Sequence, residues 1–428
     1  MSPKVVPARG MRDIPPASFR RRQRVLDLIR GAYEDHGFAQ IETPAVEPIE
    51  RMRSGQGGDN ESMLYEIQRR GLDPEAPVLP RDAVDSALRY DLTVPLTRFY
   101  ASNRAELPEV FRAFQTGPVW RAERPQKGRY RQFVQCDIDI IGEPGILAEV
   151  ELVTATLDAL GRLGLLDGAS VRVNDRRILT DLLGRAGVPA ELQARTLITV
   201  DKLDKIGMDG VRSELAEAVG LEPGVVDALT GTLESIGTET PLAEMAGGKA
   251  EQAGISLYDL GVVAQAVTEA FPQARLVFDP TLVRGMGYYT GPIFEVSHAG
   301  SGSSVAGGGR YDGVVGKWLG RDVPACGFSI GFERIVDLVE LPEDESPRVA
   351  LLCPAGADPL EVARAKRDVT RALRDKALAG GVEARKAAVA IPVTLPRKPS
   401  GAFFARLGEA GYTHSIRLGQ GLEELKAL

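Results

Sequence analysis

Residues 118–142, PVWRAERPQKGRYRQFVQCDIDIIG, hold the densest set of groups in the chain that could do chemistry. The second half alternates strictly. Val134, Cys136, Ile138 and Ile140 fall on one side of an extended strand, and Phe133, Gln135, Asp137 and Asp139 on the other. The first side reads as core. The second sets an amide and two carboxylates beside a run of cations: Arg121 on the strand before the turn, and Arg124, Lys127, Arg129 and Arg131 in the turn itself. Guanidinium forks grip phosphate oxygens two at a time, and carboxylates hold an ammonium group. The hairpin therefore suits a site that takes a triphosphate and an amine together. A solvent-facing edge hairpin would alternate in the same way, but Phe133 on the polar side and the crowding of cations in the turn favour the site.

Two further segments fit the same chemistry. LVRGMGYYTG (282–291) sets Arg284 between glycines and beside Tyr288 and Tyr289. AGGGRYDG (306–313) reads as a glycine-rich loop whose backbone can approach a ligand closely; either segment would also serve as a simple turn. Residues 331–334 open a helix, where a buried Arg334 would need an anionic partner. GFSIG (327–331) matches the G-x-S-x-G nucleophile pattern, yet the only later histidine, His414, belongs to a different predicted domain. No G-x-x-x-x-G-K-[ST] loop occurs, so a nucleotide must be held in another way. His36, His298 and His414 lack metal-ligand spacing and read as structural or surface residues. Cys136, Cys326 and Cys353 lie far apart, so no metal site is expected.

The elements that must position these groups follow from periodicity. Residues 18–36 read as a helix with Leu26, Ile29 and Tyr33 on one face and Gly37 as its stop. Residues 54–60 read as a loop, 109–142 as two strands and a turn, and 147–164 as a helix. A Leu/Ala/Glu-rich stretch, about 176–255, repeats helical periodicity and reads as an insertion. Strand patterns return at LVFDP, PIFEV and ACGFSIG, followed by a helix at 332–339 and a charged, proline-bounded linker at 342–347. Beyond it VALLCPAG, a long helix, GVEARKAAV, a short helix and THSIRLG alternate as a small parallel α/β domain. The expected organisation is a catalytic core in two parts, 1–175 and 256–341, the insertion at 176–255, and the α/β domain at 348–428.

The 428 residues are 43% hydrophobic and 26% charged, the balance of a globular protein able to bury a large core. Net charge is −7, which by itself argues against a generic nucleic-acid binder. From residue 348 onward, however, 14 lysines and arginines face 8 acidic residues, a net +6, which leaves −13 for the rest. A basic module on an acidic body fits a protein of which one part meets a polyanion. Four of these cations (Arg364, Lys366, Arg367, Arg371) share one predicted helix, and on charge alone a solvated helix face is the better explanation of them. Sparse, odd-numbered cysteines fit a reducing cytoplasm. The N-terminus carries no apolar signal segment, and no apolar run is long enough to span a bilayer.

In order, RYDLTVP (89–95), the WRAERPQKGRYRQFVQCDIDIIG hairpin, VNDRRIL (173–179), VDKLDK (200–205), VRGMGYYTG, AGGGRYDG and GFSIGFERI resemble the blocks of histidyl-tRNA synthetase over nearly the whole chain. The hairpin resembles the second motif of class II aminoacyl-tRNA synthetases, GFERI the third, and FAQIETPAVEP the first, which in the family builds a dimer interface. The resemblance implies an α+β fold, with a six-stranded antiparallel sheet flanked by helices. It implies that Arg121 grips the α-phosphate of ATP, that Arg334 holds the γ-phosphate and stacks on adenine, and that Arg284 sits across the α-phosphate where related enzymes use a metal ion. Asp91, Thr93, Gln135 and Asp139 would take the histidine ammonium, and Tyr288, Tyr289 and Tyr311 would line the imidazole pocket. Glu123, Arg124, Gln126 and Arg129 would approach ATP and the tRNA acceptor end. Mg²⁺ would enter with ATP, and the partners would be histidine, ATP, tRNA and a second copy of the chain in the cytoplasm. Two departures stand out: Gly287 replaces the acidic residue of the family's RGLDYY block, and the C-terminal domain looks truncated, with 392–404 matching poorly. A non-tRNA acceptor, or a catalytically silent histidine-sensing subunit, would share much of this pattern; retention of all three arginines speaks against the second.

Overall fold

Six strands form the middle of the sheet: β1 (Phe111–Trp120), β2 (Gln132–Ile141), β3 (Ala169–Asp175), β4 (Pro292–His298), β5 (Ala306–Arg310) and β6 (Ala325–Gly331). They lie in the order β1-β2-β6-β5-β4-β3, and each neighbouring pair is antiparallel. The computed structural model describes residues 5–53, 63–72, 80–124, 130–285, 288–341, 348–379 and 389–428. The chain divides into two units, Met1–Glu340 and Leu341–Leu428. Three short strands extend the sheet of the first unit to nine: Ala39–Gln40 beside β1, Arg275–Phe278 beside β3, and Thr240–Pro241 beyond that. The six-stranded antiparallel sheet is thus the middle of a larger one. Arg275–Phe278 is the strand expected at LVFDP, whereas the other two additions are two residues long, too short for a period to register.

Hairpin β1–β2 is not at an edge, because β2 is paired with β6 on its other side. Both faces of β2 are buried. Cys136, Ile138 and Ile140 are fully enclosed, and Asp137 and Asp139 are 4% and 3% exposed. The apolar face packs under the helices Pro16–Asp35 and Leu147–Arg162, which lie against each other. In the first of these, Val25, Leu26, Ile29, Ala32 and Tyr33 form the inward stripe, and the Tyr33 ring meets Phe114 of β1 edge-on at 5.3 Å. Each such side chain contributes about 1.5–3 kcal/mol on full burial. This apolar layer holds the sheet rigid while its opposite face stays polar.

One element departs from its sequence reading. Residues 306–310, AGGGR, form β5 rather than a loop. Glycine is poor in strands, but here bulk is refused on both sides. A methyl on Gly307 would collide with the Arg284 guanidinium, and one on Gly308 with the Gly327 carbonyl. The strand exists because the ladders to β4 and β6 impose it.

The stretch 176–255 is mostly helical, interrupted by the short strand Thr240–Pro241, with apolar residues such as Leu183, Val211, Leu215, Leu229 and Leu233 forming its core. That core continues into Leu282, Val283 and Ile293, so the insertion packs directly on the segment that carries Arg284.

In the second unit, Arg348–Pro354 lies between two parallel neighbours, Val389–Leu395 and His414–Arg417, with Lys426–Ala427 antiparallel at the far edge. The helices Pro359–Ala379 and Gly401–Glu409 complete the β-α-β-α-β order. The second strand begins at Val389, later than GVEARKAAV suggested; residues 380–388 lie outside the described chain. Its Pro392 is tolerated because the strand is at an edge. Central-strand residues alternate between two apolar clusters, which is why VALLC reads as a continuous apolar run. Arg364, Lys366, Arg367 and Arg371 are exposed on the long helix.

Candidate active site

Register assembles the polar face of the sheet. Gln115, Asp137, Ser329, Gly307, Glu295 and Arg172 lie in one row across six strands, one residue from each. The neighbouring row runs Ala113, Asp139, Gly327, Gly309, Ile293 and Asn174. Glycines in the middle of both rows leave a trough. Above it lies a cavity of about 800 Å³ lined by Asp91, Thr93, Arg121, Glu123, Gln135, Asp139, Arg284, Tyr288, Tyr289, Tyr311 and Arg334. These residues come from six separate segments of sequence. Arg124 is exposed and does not line the cavity. Gln126, Arg129 and Gly287 lie outside the described residues.

One part of the cavity sets open acceptor oxygens beside stacked tyrosine rings. The Tyr311 hydroxyl donates to Asp139 Oδ1 at 2.6 Å, while the buried Asp139 Oδ2 and Gln135 Oε1 accept no hydrogen bond from the described chain. Gly327, directly opposite Asp139, admits this carboxylate, because a methyl there would collide with Asp139 Oδ1. Asp91 is buried at the start of the helix Thr93–Asn103, where its Oδ1 accepts the Val94 N–H at 3.1 Å. Thr93 hydrogen-bonds the Tyr288 side chain. Tyr288 stacks on Tyr311 with ring centroids 5.3 Å apart and planes 13° apart, and Tyr289 meets Tyr288 edge-on at 4.9 Å.

Burial and the nearby Asp91 charge raise the Asp139 carboxyl to about 7, against the opposing hydrogen bond from Tyr311. Burial, reinforced by Asp139, holds Asp137 well above the ordinary carboxylate range. Two enclosed carboxyls without a cation are costly, since an ion uncompensated in the interior loses several kcal/mol of hydration, about that much per group. An ammonium placed between them removes that cost.

Two of the arginines are held by backbone carbonyls and the third is paired with a carboxylate. Arg121 Nε donates to the Tyr90 carbonyl at 3.0 Å, and its guanidinium lies 5.1 Å from the Phe133 ring centre. Arg334, in the first turn of the helix Phe332–Leu338, donates to the Ser304 carbonyl; it is half-buried rather than enclosed. Arg284 lies across Gly307 and is paired with Glu295 at 3.3 Å. Among the described residues no group of three His, Cys, Asp or Glu is arranged to hold a metal ion.

Sequence reasoning left several contributors unassigned. Ser329 is the serine of the G-x-S-x-G pattern. It sits inside β6, donates to Asp137 Oδ1 at 2.5 Å and accepts from Gln135 Nε2 at 3.3 Å. It is part of the floor and not on a strand-to-helix elbow, and no histidine lines the cavity. Glu333, also on the lining, ties three elements together: it accepts from Arg22 at 2.8 Å, from the Val134 N–H at 3.1 Å, and from Arg12. Burial pushes its carboxyl up, but Arg22, Val134 and Arg12 hold it below its ordinary range. Arg12 also lies 3.8 Å from the centre of the Tyr130 ring on the cavity wall.

Against known proteins, the profile of the family described as histidyl-tRNA synthetase matches residues 10–335. This chain belongs to the histidyl-tRNA synthetase family. It is 52% identical over 368 residues to the histidine–tRNA ligase of Leifsonia xyli subsp. xyli, a match covering 82% of this chain and 84% of the relative. It is 42% identical over 337 residues to that of Aeropyrum pernix, covering 77% and 73%. Its fold is similar to the histidyl-tRNA synthetase of Nostoc sp. PCC 7120, with a TM-score of 0.76 at 25% identity, covering 97% of this chain and 91% of the other. The α+β architecture of the histidyl-tRNA synthetase family, a large central sheet and a C-terminal α/β unit, is therefore the architecture of this chain.

Proposed function

We propose that the chain is a histidine–tRNA ligase of class II. In the first step the carboxylate of histidine attacks the α-phosphorus of ATP in line, forming histidyl-adenylate and releasing pyrophosphate. In the second, the terminal ribose hydroxyl of tRNA attacks the adenylate carbonyl, forming the ester and releasing AMP. The observation that carries this reading is the pair of buried acceptors, Asp139 Oδ2 and Gln135 Oε1, open to a cavity that also holds three arginines.

The positions of the lining residues support the following roles. Asp139, Gln135, Asp91 and Thr93 take the ammonium, and the imidazole lies against the tyrosines. Arg121 and Arg284 face the α-phosphate, where charge develops in the transition state, and Arg334 holds the departing pyrophosphate. Mg²⁺ enters as part of the nucleotide substrate and adds charge on the pyrophosphate side. Little covalent work falls to the protein; orientation and fixed charge carry the rate. Discrimination rests on polar groups that go unpaired with any other side chain, a mode worth about 10⁴–10⁵ in favourable cases. Glu123, Arg124, Gln126 and Arg129 approach ATP and the acceptor end, and the C-terminal unit meets unpaired anticodon bases. The working form is a cytoplasmic homodimer; no helix among the described residues is long and apolar enough to cross a membrane.

Aminoacylation of total cellular tRNA with labelled histidine, ATP and Mg²⁺ tests the whole reading. Charging is the expected result. Histidyl-adenylate without charging would point to another acceptor, and neither product to a histidine-sensing subunit.

The Asp139 carboxyl gives a pH signature. Ammonium binding requires the ionised form, which the free protein loses below about pH 7. Histidine binding at pH 7 therefore drives a proton off Asp139, and affinity falls as pH drops through that value, by about tenfold per pH unit. Calorimetry in buffers of different ionisation enthalpy checks this: the proton release at pH 7 is expected to disappear in Asp139→Asn. Equal release in that variant would assign the proton elsewhere.

A further inference from the structure

The Arg284 guanidinium has to lie flat over the trough to reach a phosphate, and glycine at 307 only makes room for it. It is paired with Glu295, whose Oε2 is 3.3 Å from Arg284 Nη1, an ion pair in which the buried Nη1 makes no hydrogen bond. Glu295 stands on β4 directly opposite Gly307, so its carboxylate rises beside the place where the guanidinium lies. The same carboxylate has a second cation. Arg172, its cross-strand partner on β3, sets Nη1 3.3 Å from Glu295 Oε1. Arg172 is in turn shared. It donates through Nε to the fully enclosed Asp279 at 2.6 Å, and its Nη2 lies 3.3 Å from Asp204.

Asp204 belongs to the helical insertion, in the helix Leu203–Glu214. The chain of charges Asp204, Arg172, Glu295, Arg284 therefore runs from the insertion to the cavity without a gap. The insertion reaches the same place by packing: its helix Gln193–Val200 puts Ile198 on the cavity wall, and its apolar core includes Val283, next to Arg284.

We infer that Glu295 is a positioning residue for Arg284, and that the insertion sets the strength of that hold through Asp204 and Arg172. The inference rests on the reading of Arg284 as a phosphate-binding group. With Asp204 in place, Arg172 divides its charge among three carboxylates and leaves Glu295 available to Arg284. Without Asp204, Arg172 draws Glu295 toward itself and Arg284 is held less firmly.

The test is a double-mutant cycle read by histidine-dependent ATP–pyrophosphate exchange. Glu295→Gln is expected to lower kcat by about 10–100-fold, as a misplaced reacting group does, with KM for histidine and the melting temperature near those of the parent. In an Arg284→Gln background the same substitution should change kcat by less than about twofold, because two groups that act as a unit are not additive. Asp204→Asn, on a largely exposed side chain, should lower kcat by about two- to fivefold, the size of an exposed ion pair, and should have no effect once Glu295 is Gln. A Glu295→Gln loss that persists undiminished without Arg284, or no loss at all, would overturn the inference. A parent protein with no histidine-dependent exchange would instead remove the functional reading beneath it.

Discussion

Asp139→Asn will lower kcat/KM for histidine activation by about 10²–10⁴-fold, the cost of removing one partner from a buried charge pair, and will at the same time stabilise the free protein. The loss follows from geometry. Asparagine still accepts the Tyr311 hydroxyl at one oxygen, but it turns an amide donor toward the ammonium in place of the open Asp139 Oδ2. The gain follows from linkage. The folded protein binds the Asp139 proton more tightly than the unfolded chain does, with a carboxyl raised to about 7. Between about pH 4 and pH 7 the folded state thus holds more protons, and stability falls as pH rises through that window. A neutral side chain removes the penalty, so the melting temperature at pH 7.5 should rise by about 2–4 °C. Thermal melts and exchange kinetics on one preparation check both halves. A variant that is less stable and less active together would make Asp139 a structural residue.

The second large effect is expected at Arg334. Arg334→Gln should reduce adenylate formation by about 10³-fold or more, as loss of an arginine on a transferring phosphoryl group does. KM for ATP should rise, while histidine affinity changes little. The split arises because Arg334 is held at the start of its helix by the Ser304 carbonyl, apart from the Asp139, Tyr311 and Gln135 cluster. Calorimetric histidine binding to the variant separates the two substrates. Loss of histidine binding equal to the loss of rate would show that the arginine supports the whole cavity and not the nucleotide alone.

Much of this was legible before any coordinates. The period-two alternation of QFVQCDIDI indicated which side chains share a face, and the stripe of Leu26, Ile29 and Tyr33 indicated the helix beneath them. The segments carrying Arg121, Arg284 and Arg334 stood out through their glycines and charges. What escaped the sequence depends on pairing between distant strands. Ser329 meets Asp137 only because β6 lies beside β2, and Glu295 meets Arg284 only because β4 follows β5 in the sheet. Glycine's low strand preference hid β5, whose glycines answer to Arg284 and to the β6 backbone. The interior proline obscured the strand Val389–Leu395, where an edge position makes it harmless. Local composition reports the local chain, and sites built across a sheet are written in its register.

The most direct test of the account is ATP–pyrophosphate exchange by the purified protein, run separately with each of the twenty amino acids. The account predicts exchange with histidine, strongly reduced in Asp139→Asn and in Arg334→Gln, and background rates with the other nineteen. Exchange supported by a different amino acid, or by none, would contradict it.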